Sequence, residues 1–262
     1  MGIMDRRTFL LSTFGLSATP EPSRWAPAPF GASAPIAPAD PFEAWKLTFV
    51  DKAAAAGWPR DRVGEVLAPL VVDERVVSAD RRQPELSRPV GDYIQGVAST
   101  ARADEGRTRR AAMASTLERI SSRTGVPPEI LVSIWAVESN FGAIQGNYDV
   151  IRSLATLAAD GRRRDWAETQ LLAAFRMLFT AEAPRDRLKG SWAGAMGQTQ
   201  FMPDTFLAFA IDEDDDGQRD IWGSSADALG SAGNYLAKRG AWRRGQGWAR
   251  EVLLPPGFDY SV

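Results

Sequence analysis

Pro127 and Pro128 at one end and Gly142 at the other bracket an apolar run that suits one element, a largely buried helix. Proline at the first helical position loses only an N–H that has no partner within the helix, and glycine takes the left-handed conformation that ends one. Ile130, Ile134, Val137 and Phe141 recur at three- and four-residue spacing, with Leu131, Trp135 and Glu138 as the adjoining stripe. Glu138 is thereby expected on an apolar face. Desolvation against Leu131, Ile134 and Trp135 would raise its pKa toward that of a general acid. The same position also reads as a glutamate at the exposed end of a buried helix.

What else can carry chemistry is narrowed by what the chain lacks. Among its 262 residues there is no histidine and no cysteine. That excludes a Ser-His-Asp triad, a histidine or thiolate metal centre, a disulfide and a cysteine-linked lipid anchor, and leaves acid/base work to Asp, Glu, Lys or Tyr. A net charge of -2 offers no electrostatic reason for a nucleic-acid or anionic-membrane partner.

Residues 1–39 read as an export leader. Arg6-Arg7-Thr8-Phe9-Leu10 resembles the twin-arginine signal, the apolar run to Ala18 is too short to span a bilayer, and Ala37-Pro38-Ala39 resembles a small-residue cleavage site. A periplasmic location is expected. Residues 40–262 are expected to form one mostly α domain. Helical patterning covers Pro41 to Gly57, Pro59 to Leu67, Val90 to Ala101, Arg107 to Thr124, Ile151 to Ala159, Trp166 to Phe179, Pro203 to Ala210 and Ala226 to Leu236. The stretch around Arg81-Arg82-Gln83-Pro84-Glu85 reads as irregular, and Glu251 to Leu254 as the one strand.

From Lys189 to Pro203 small residues dominate, and Gly190, Gly194 and Gly197 would admit a ligand or another segment of chain. Ser191, Gln198 and Gln200 carry neutral hydrogen-bonding groups suited to sugar hydroxyls. Glu138-Ser139-Asn140-Phe141-Gly142 together with Gly194-Ala195-Met196-Gly197-Gln198-Thr199-Gln200-Phe201-Met202-Pro203 resembles the paired signature of lytic murein transglycosylases. The arginine-rich segment at Arg81, Lys189-Gly190-Ser191 and Asn234-Tyr235-Leu236 resemble the B-type subgroup, glycoside hydrolase family 103.

The resemblance implies a lysozyme-like α domain with additional N-terminal helices. It implies cleavage of the β-1,4 bond between N-acetylmuramic acid and N-acetylglucosamine in peptidoglycan strands, leaving a 1,6-anhydromuramic end. By motif, Glu138 becomes the catalytic acid/base, and Ser191, Gln200, Tyr235 and Tyr93 line the cleft. Trp192, beside Ser191, is placed near sugar, and no cofactor is required. A lysozyme-type hydrolase and a glycan-binding protein with little activity are the alternatives, and a wall-remodelling complex is a conceivable partner. Members of the subgroup usually continue past the equivalent of Val262, so the sequence reads as either a minimal or a truncated form.

The run Asp212 to Trp222 is a separate candidate. Asp212, Asp214 and Asp216 at loop positions one, three and five, Gly217 at six and Asp220 at nine match an EF-hand calcium loop, with Gln218 contributing its carbonyl. Position twelve fails, being Gly223 where a bidentate carboxylate belongs. A structural calcium and a solvated acidic turn are both open. Arg162-Arg163-Arg164 and Arg243-Arg244 read as solvated loop charges.

Overall fold

The computed structural model describes residues 40–82, 89–249 and 251–259. Their elements run α1 (Pro41–Ala55), α2 (Arg60–Leu67), α3 (Glu74–Arg82), α4 (Val90–Val97), α5 (Thr100–Ala112), α6 (Ala114–Thr124), α7 (Pro128–Ser139), β1 (Tyr148–Asp149), α8 (Val150–Asp160), α9 (Arg164–Phe179), β2 (Lys189–Gly190), α10 (Pro203–Phe209) and α11 (Ser225–Lys238). The two short strands pair antiparallel, Tyr148 opposite Gly190. The mostly α class is the one that forms. The leader at residues 1–39 and the Gln83-Pro84-Glu85 part of the arginine-rich segment lie outside the described residues.

Local chemistry sets the helix boundaries. Asp40 Oδ1 accepts the Phe42 N–H at 2.8 Å, with Pro41 in the first turn, and so starts α1. Ser99 Oγ accepts the Arg102 N–H at 3.3 Å, which begins α5 at Thr100 and stops the preceding helix at Val97 rather than Ala101. The helix expected from Arg107 to Thr124 is divided at Met113. α3 forms where an irregular stretch was expected: Asp73 Oδ1 accepts the Arg75 N–H at 3.1 Å and Val76 is fully buried. The strand expected at Glu251 to Leu254 does not form, and Leu253 is 98% exposed.

Two apolar clusters organise the rest. The larger joins α1, α2, α8, α9 and α10 through side chains such as Phe49, Leu67, Leu154, Phe175 and Phe206. A smaller one joins α6, α7 and α11 through Leu117, Ile120, Leu131, Trp135 and Leu229. Each such large side chain contributes about 1.5–3 kcal/mol on burial. Arg162 and Arg163 are not merely solvated loop charges, because both pair with Asp80, which α3 carries to 2% exposure. Burial pushes the Asp80 carboxyl up, but the two guanidinium groups outweigh it and hold the pKa low. No helix among the described residues is long and apolar enough to cross a membrane.

Candidate active site

α7 turns Leu131, Val132, Trp135, Ala136 and Ser139 into the smaller core. Ile134 and Glu138, one turn apart on the next stripe, instead line a pocket of about 320 Å³ at the seam between the two clusters. The turn before α10 adds Gln200, Phe201 and Met202, and α11 adds Tyr235 and Leu236. The expected surroundings of Glu138 are therefore corrected. Leu131 and Trp135 belong to the buried face, Val137 is 47% exposed, and only Ile134 of the three expected neighbours shares the pocket.

Glu138 is exposed at the pocket mouth, so water reaches it, yet the walls displace enough solvent to penalise its charge. This desolvation raises its carboxyl above the usual glutamate value. No side-chain hydrogen bond or ion pair to it exists among the described residues. It is also the one carboxylate among the described residues that line the pocket.

The backbone beyond α7 is unusual. Asn140, Phe141 and Gly142 take successive φ values of 50°, 58° and 84°, so the helix ends at Ser139, three residues before the glycine expected to stop it. Left-handed backbone at the two non-glycine residues costs on the order of 1–3 kcal/mol each. Ser139 offsets part of this: its Oγ donates to the Gln198 carbonyl at 2.6 Å and accepts the Gly142 N–H at 2.8 Å. A Cβ at Gly142 would lie 2.8 Å from Gln198 Oε1.

Gln198 does not face sugar as expected. It is 4% exposed, and its amide is used internally by Trp135, Ser225 and Trp222. The small residues around it admit the protein's own chain, since a Cβ on Gly197, with φ +71°, would meet Ile221 at 2.7 Å. Gln200 does line the pocket, in a left-handed conformation with φ 52°. Its Nε2 donates to the carbonyls of Gly197 at 2.9 Å and Gln145 at 3.2 Å, which leaves Oε1 as its remaining polar atom.

Tyr235 joins Glu138 and Gln200 in the pocket, its ring held edge-on to Phe209 at 5.3 Å. The preceding Asn234 is buried and donates to the Phe209 carbonyl at 2.8 Å, tying α11 to α10. Ser191 and Trp192 do not line this pocket. Ser191 Oγ accepts the Ala195 N–H at 3.1 Å inside its own turn, and Trp192 packs on the larger core with Arg163 5.5 Å from its ring. Tyr93 is 45% exposed on α4, also outside the pocket.

In the acidic loop the ligand set is revised. Asp212, Asp214 and Asp216 gather with Asp227, not Asp220, one carboxylate oxygen from each lying within 4.8 Å of the others. Asp220 is drawn away by Arg187 at 3.1 Å and by the N–H groups of Trp222 and Gly223. Gln218 meets the loop through its backbone N–H, which donates to Asp216 Oδ1 at 2.8 Å. Asp227 is fully buried in the first turn of α11 and accepts the N–H groups of Glu213 and Asp220. Burial raises its pKa, and the like charge of Asp214 adds to the rise. Clustered carboxylate oxygens with this mutual repulsion fit a hard dication such as calcium. The signal for Asp227 was Ser224-Ser225-Ala226-Asp227, a capping-box pattern opening α11.

Comparison with known proteins bears on this geometry. Residues 41–262 match the family described as Transglycosylase SLT domain. Membrane-bound lytic murein transglycosylase B of Escherichia coli K12 is 38% identical over 146 residues, covering 53% of this chain and 40% of that protein. SltB3 of Pseudomonas aeruginosa, solved in complex with NAG-NAM-pentapeptide, superposes with a TM-score of 0.75 at 48% identity, covering 84% of this chain and 59% of SltB3. Slt35 of Escherichia coli, solved in complex with calcium, gives a TM-score of 0.69 at 29% identity, covering 77% of this chain and 64% of Slt35. The chain thus spans less than two thirds of the length of each of these relatives.

Proposed function

This chain belongs to the transglycosylase SLT domain family, among the lytic murein transglycosylases, and on that premise we propose that its Glu138 pocket cleaves the β-1,4 bond between N-acetylmuramic acid and N-acetylglucosamine. The observation that carries the reading is the single carboxylate. Most glycosidases set a second Asp or Glu across the scissile bond as base or nucleophile. Here Glu138 faces Gln200, Tyr235 and apolar side chains.

One carboxylate suffices if it acts twice. Glu138, whose desolvated setting favours the protonated form, gives its proton to the leaving glycosidic oxygen as the C1–O bond breaks. The resulting carboxylate then takes the proton of the muramic C6 hydroxyl, whose oxygen bonds to C1. A 1,6-anhydro ring closes and no water is consumed. The positive charge developing at C1 meets neutral dipoles, and Gln200 Oε1, whose amide nitrogen is occupied by Gly197 and Gln145, is the available negative end.

Calcium is not needed for these steps. A calcium ion held by Asp212, Asp214, Asp216 and Asp227 would relieve their repulsion and pin the acidic loop to the start of α11. A peptidoglycan substrate also fits export, because Arg6-Arg7-Thr8-Phe9-Leu10 resembles a twin-arginine signal and peptidoglycan lies outside the cytoplasmic membrane. Mass spectrometry of soluble fragments released from purified peptidoglycan tests the function. Anhydro-muropeptides from the parent, and about a hundredfold or more fewer from Glu138→Gln, are expected. Products heavier by one water would make it a hydrolase, and no product from a folded parent would leave a binding protein.

A further inference from the structure

Gln198 lies outside the pocket yet touches most of what frames it. Its Oε1 accepts Trp135 Nε1–H at 2.8 Å from α7 and the Ser225 hydroxyl at 3.0 Å from α11. Its Nε2 donates to the Trp222 carbonyl at 3.1 Å. On the backbone, its N–H donates to the Ile221 carbonyl at 2.9 Å, while its own carbonyl accepts Ser139 Oγ at 2.6 Å. A buried amide with every one of these bonds made holds its neighbours to one arrangement.

Those neighbours are the two sides of the reacting geometry. Trp135 and Ser139 flank Glu138 on the last turn of α7, and Gln200 follows Gln198 by two residues in the same turn. We propose that Gln198 is a positioning residue that sets the spacing and orientation of Glu138 against Gln200, so that it governs turnover rather than glycan affinity. The proposal rests on the transglycosylase reading.

The contacts of Gln198 also supply its test. All the groups bonded to it are neutral. The ionisable groups beside its partners are Glu138 next to Ser139, Arg109 at 6.0 Å from the Trp135 ring, Asp220 with its partner Arg187 before Trp222, and Asp227 beyond Ser225. In Gln198→Glu a protonated carboxyl reproduces the amide, its carbonyl accepting from Trp135 and Ser225 and its O–H donating to the Trp222 carbonyl. Ionised, it sets a second acceptor against that carbonyl and the contact fails. Gln198→Met keeps the length of the side chain and removes the hydrogen bonds.

The experiment measures kcat and KM on peptidoglycan for parent, Gln198→Met and Gln198→Glu, with the folded fraction from circular dichroism and the Glu138 carboxyl titrated by carbon-13 NMR. Gln198→Met should lose about 100-fold in kcat per folded molecule, the scale of an ångström-sized misplacement, with KM little changed. Gln198→Glu should recover toward the parent as the pH is lowered, and in Gln198→Met the Glu138 pKa should fall toward the ordinary glutamate value. Parent-like kcat per folded molecule in Gln198→Met, or a Gln198→Glu pH profile that follows the parent's, overturns the role. Should the parent form no anhydro product, the transglycosylase reading fails first. An unchanged Glu138 pKa in Gln198→Met would then overturn the positioning role independently.

Discussion

The pocket at Glu138 and the acidic loop at Asp212 each hold a carboxyl whose pKa is raised, in opposite settings. Glu138 has no charged neighbour among the described residues, stands at a mouth open to water, and shifts through desolvation. Asp227 is sealed from solvent, accepts backbone N–H groups that favour its charge, and still shifts upward because burial and Asp214 oppose it. A lone raised carboxyl with access to substrate can exchange a proton. A crowded one, locked by N–H donors, is better suited to receiving a cation.

The largest effect that separates the two is kinetic. Glu138→Gln should lower turnover by about 10²–10⁴-fold, the usual contribution of a general acid/base, while binding of glycan fragments measured by calorimetry persists. An Asp214→Ala Asp216→Ala variant should keep activity close to the parent's, so a comparable loss there would erase the distinction between the sites.

Next in size is the response to calcium. At about a hundredfold excess over its dissociation constant the ion would stabilise the parent by about 2.7 kcal/mol, or roughly 5–10 °C in Tm for a domain of this size. That rise should vanish in the double variant, whose Tm without calcium should instead exceed the parent's as repulsion on Asp227 is relieved. Differential scanning calorimetry with calcium and with a chelator reads both.

Gly142→Ala should cost on the order of 1–3 kcal/mol in chemical denaturation, because alanine is strained at φ +84° and its Cβ meets the Gln198 amide. Gly217→Ala in the acidic loop has φ +87° but open space around it, so it should cost less. The difference isolates the packing part of the pocket's rigidity.

The smallest effect is on stability against pH. The folded pKa of Glu138 lies above its unfolded value, so the stability it confers is complete below the ordinary carboxylate range and is lost as pH rises through the raised value. Glu138→Gln should therefore match the parent's Tm in acid and exceed it at neutral pH. A parallel offset at all pH values would remove desolvation as the cause.

The sequence exposed the site unevenly, for physical reasons. Glu138, Gln200 and Tyr235 were legible because they sit in local motifs, on helices and a turn punctuated by Pro128, Gly197 and Pro203. The orientation of α7 was less so: its strongest apolar spacing ran through Val137, whereas the buried face runs through Trp135 and ends in a hydroxyl, Ser139. Gln198 and Gln200 are the same residue type two positions apart, and only tertiary contacts decide which amide is consumed internally. Asp227 escaped because it lies beyond the twelve-residue loop window, and Asp80 because its arginines come from a distant turn. α3 was missed because, of its nine residues, only Val76, Val77 and Ala79 are apolar.

The most direct test of the central claim, one desolvated carboxyl serving as both acid and base, is to titrate Glu138 by carbon-13 NMR beside the pH dependence of kcat/KM. The account predicts a Glu138 pKa above the ordinary glutamate value that coincides with the loss of activity on the alkaline side. An ordinary pKa, or an activity profile that ignores it, would contradict the account.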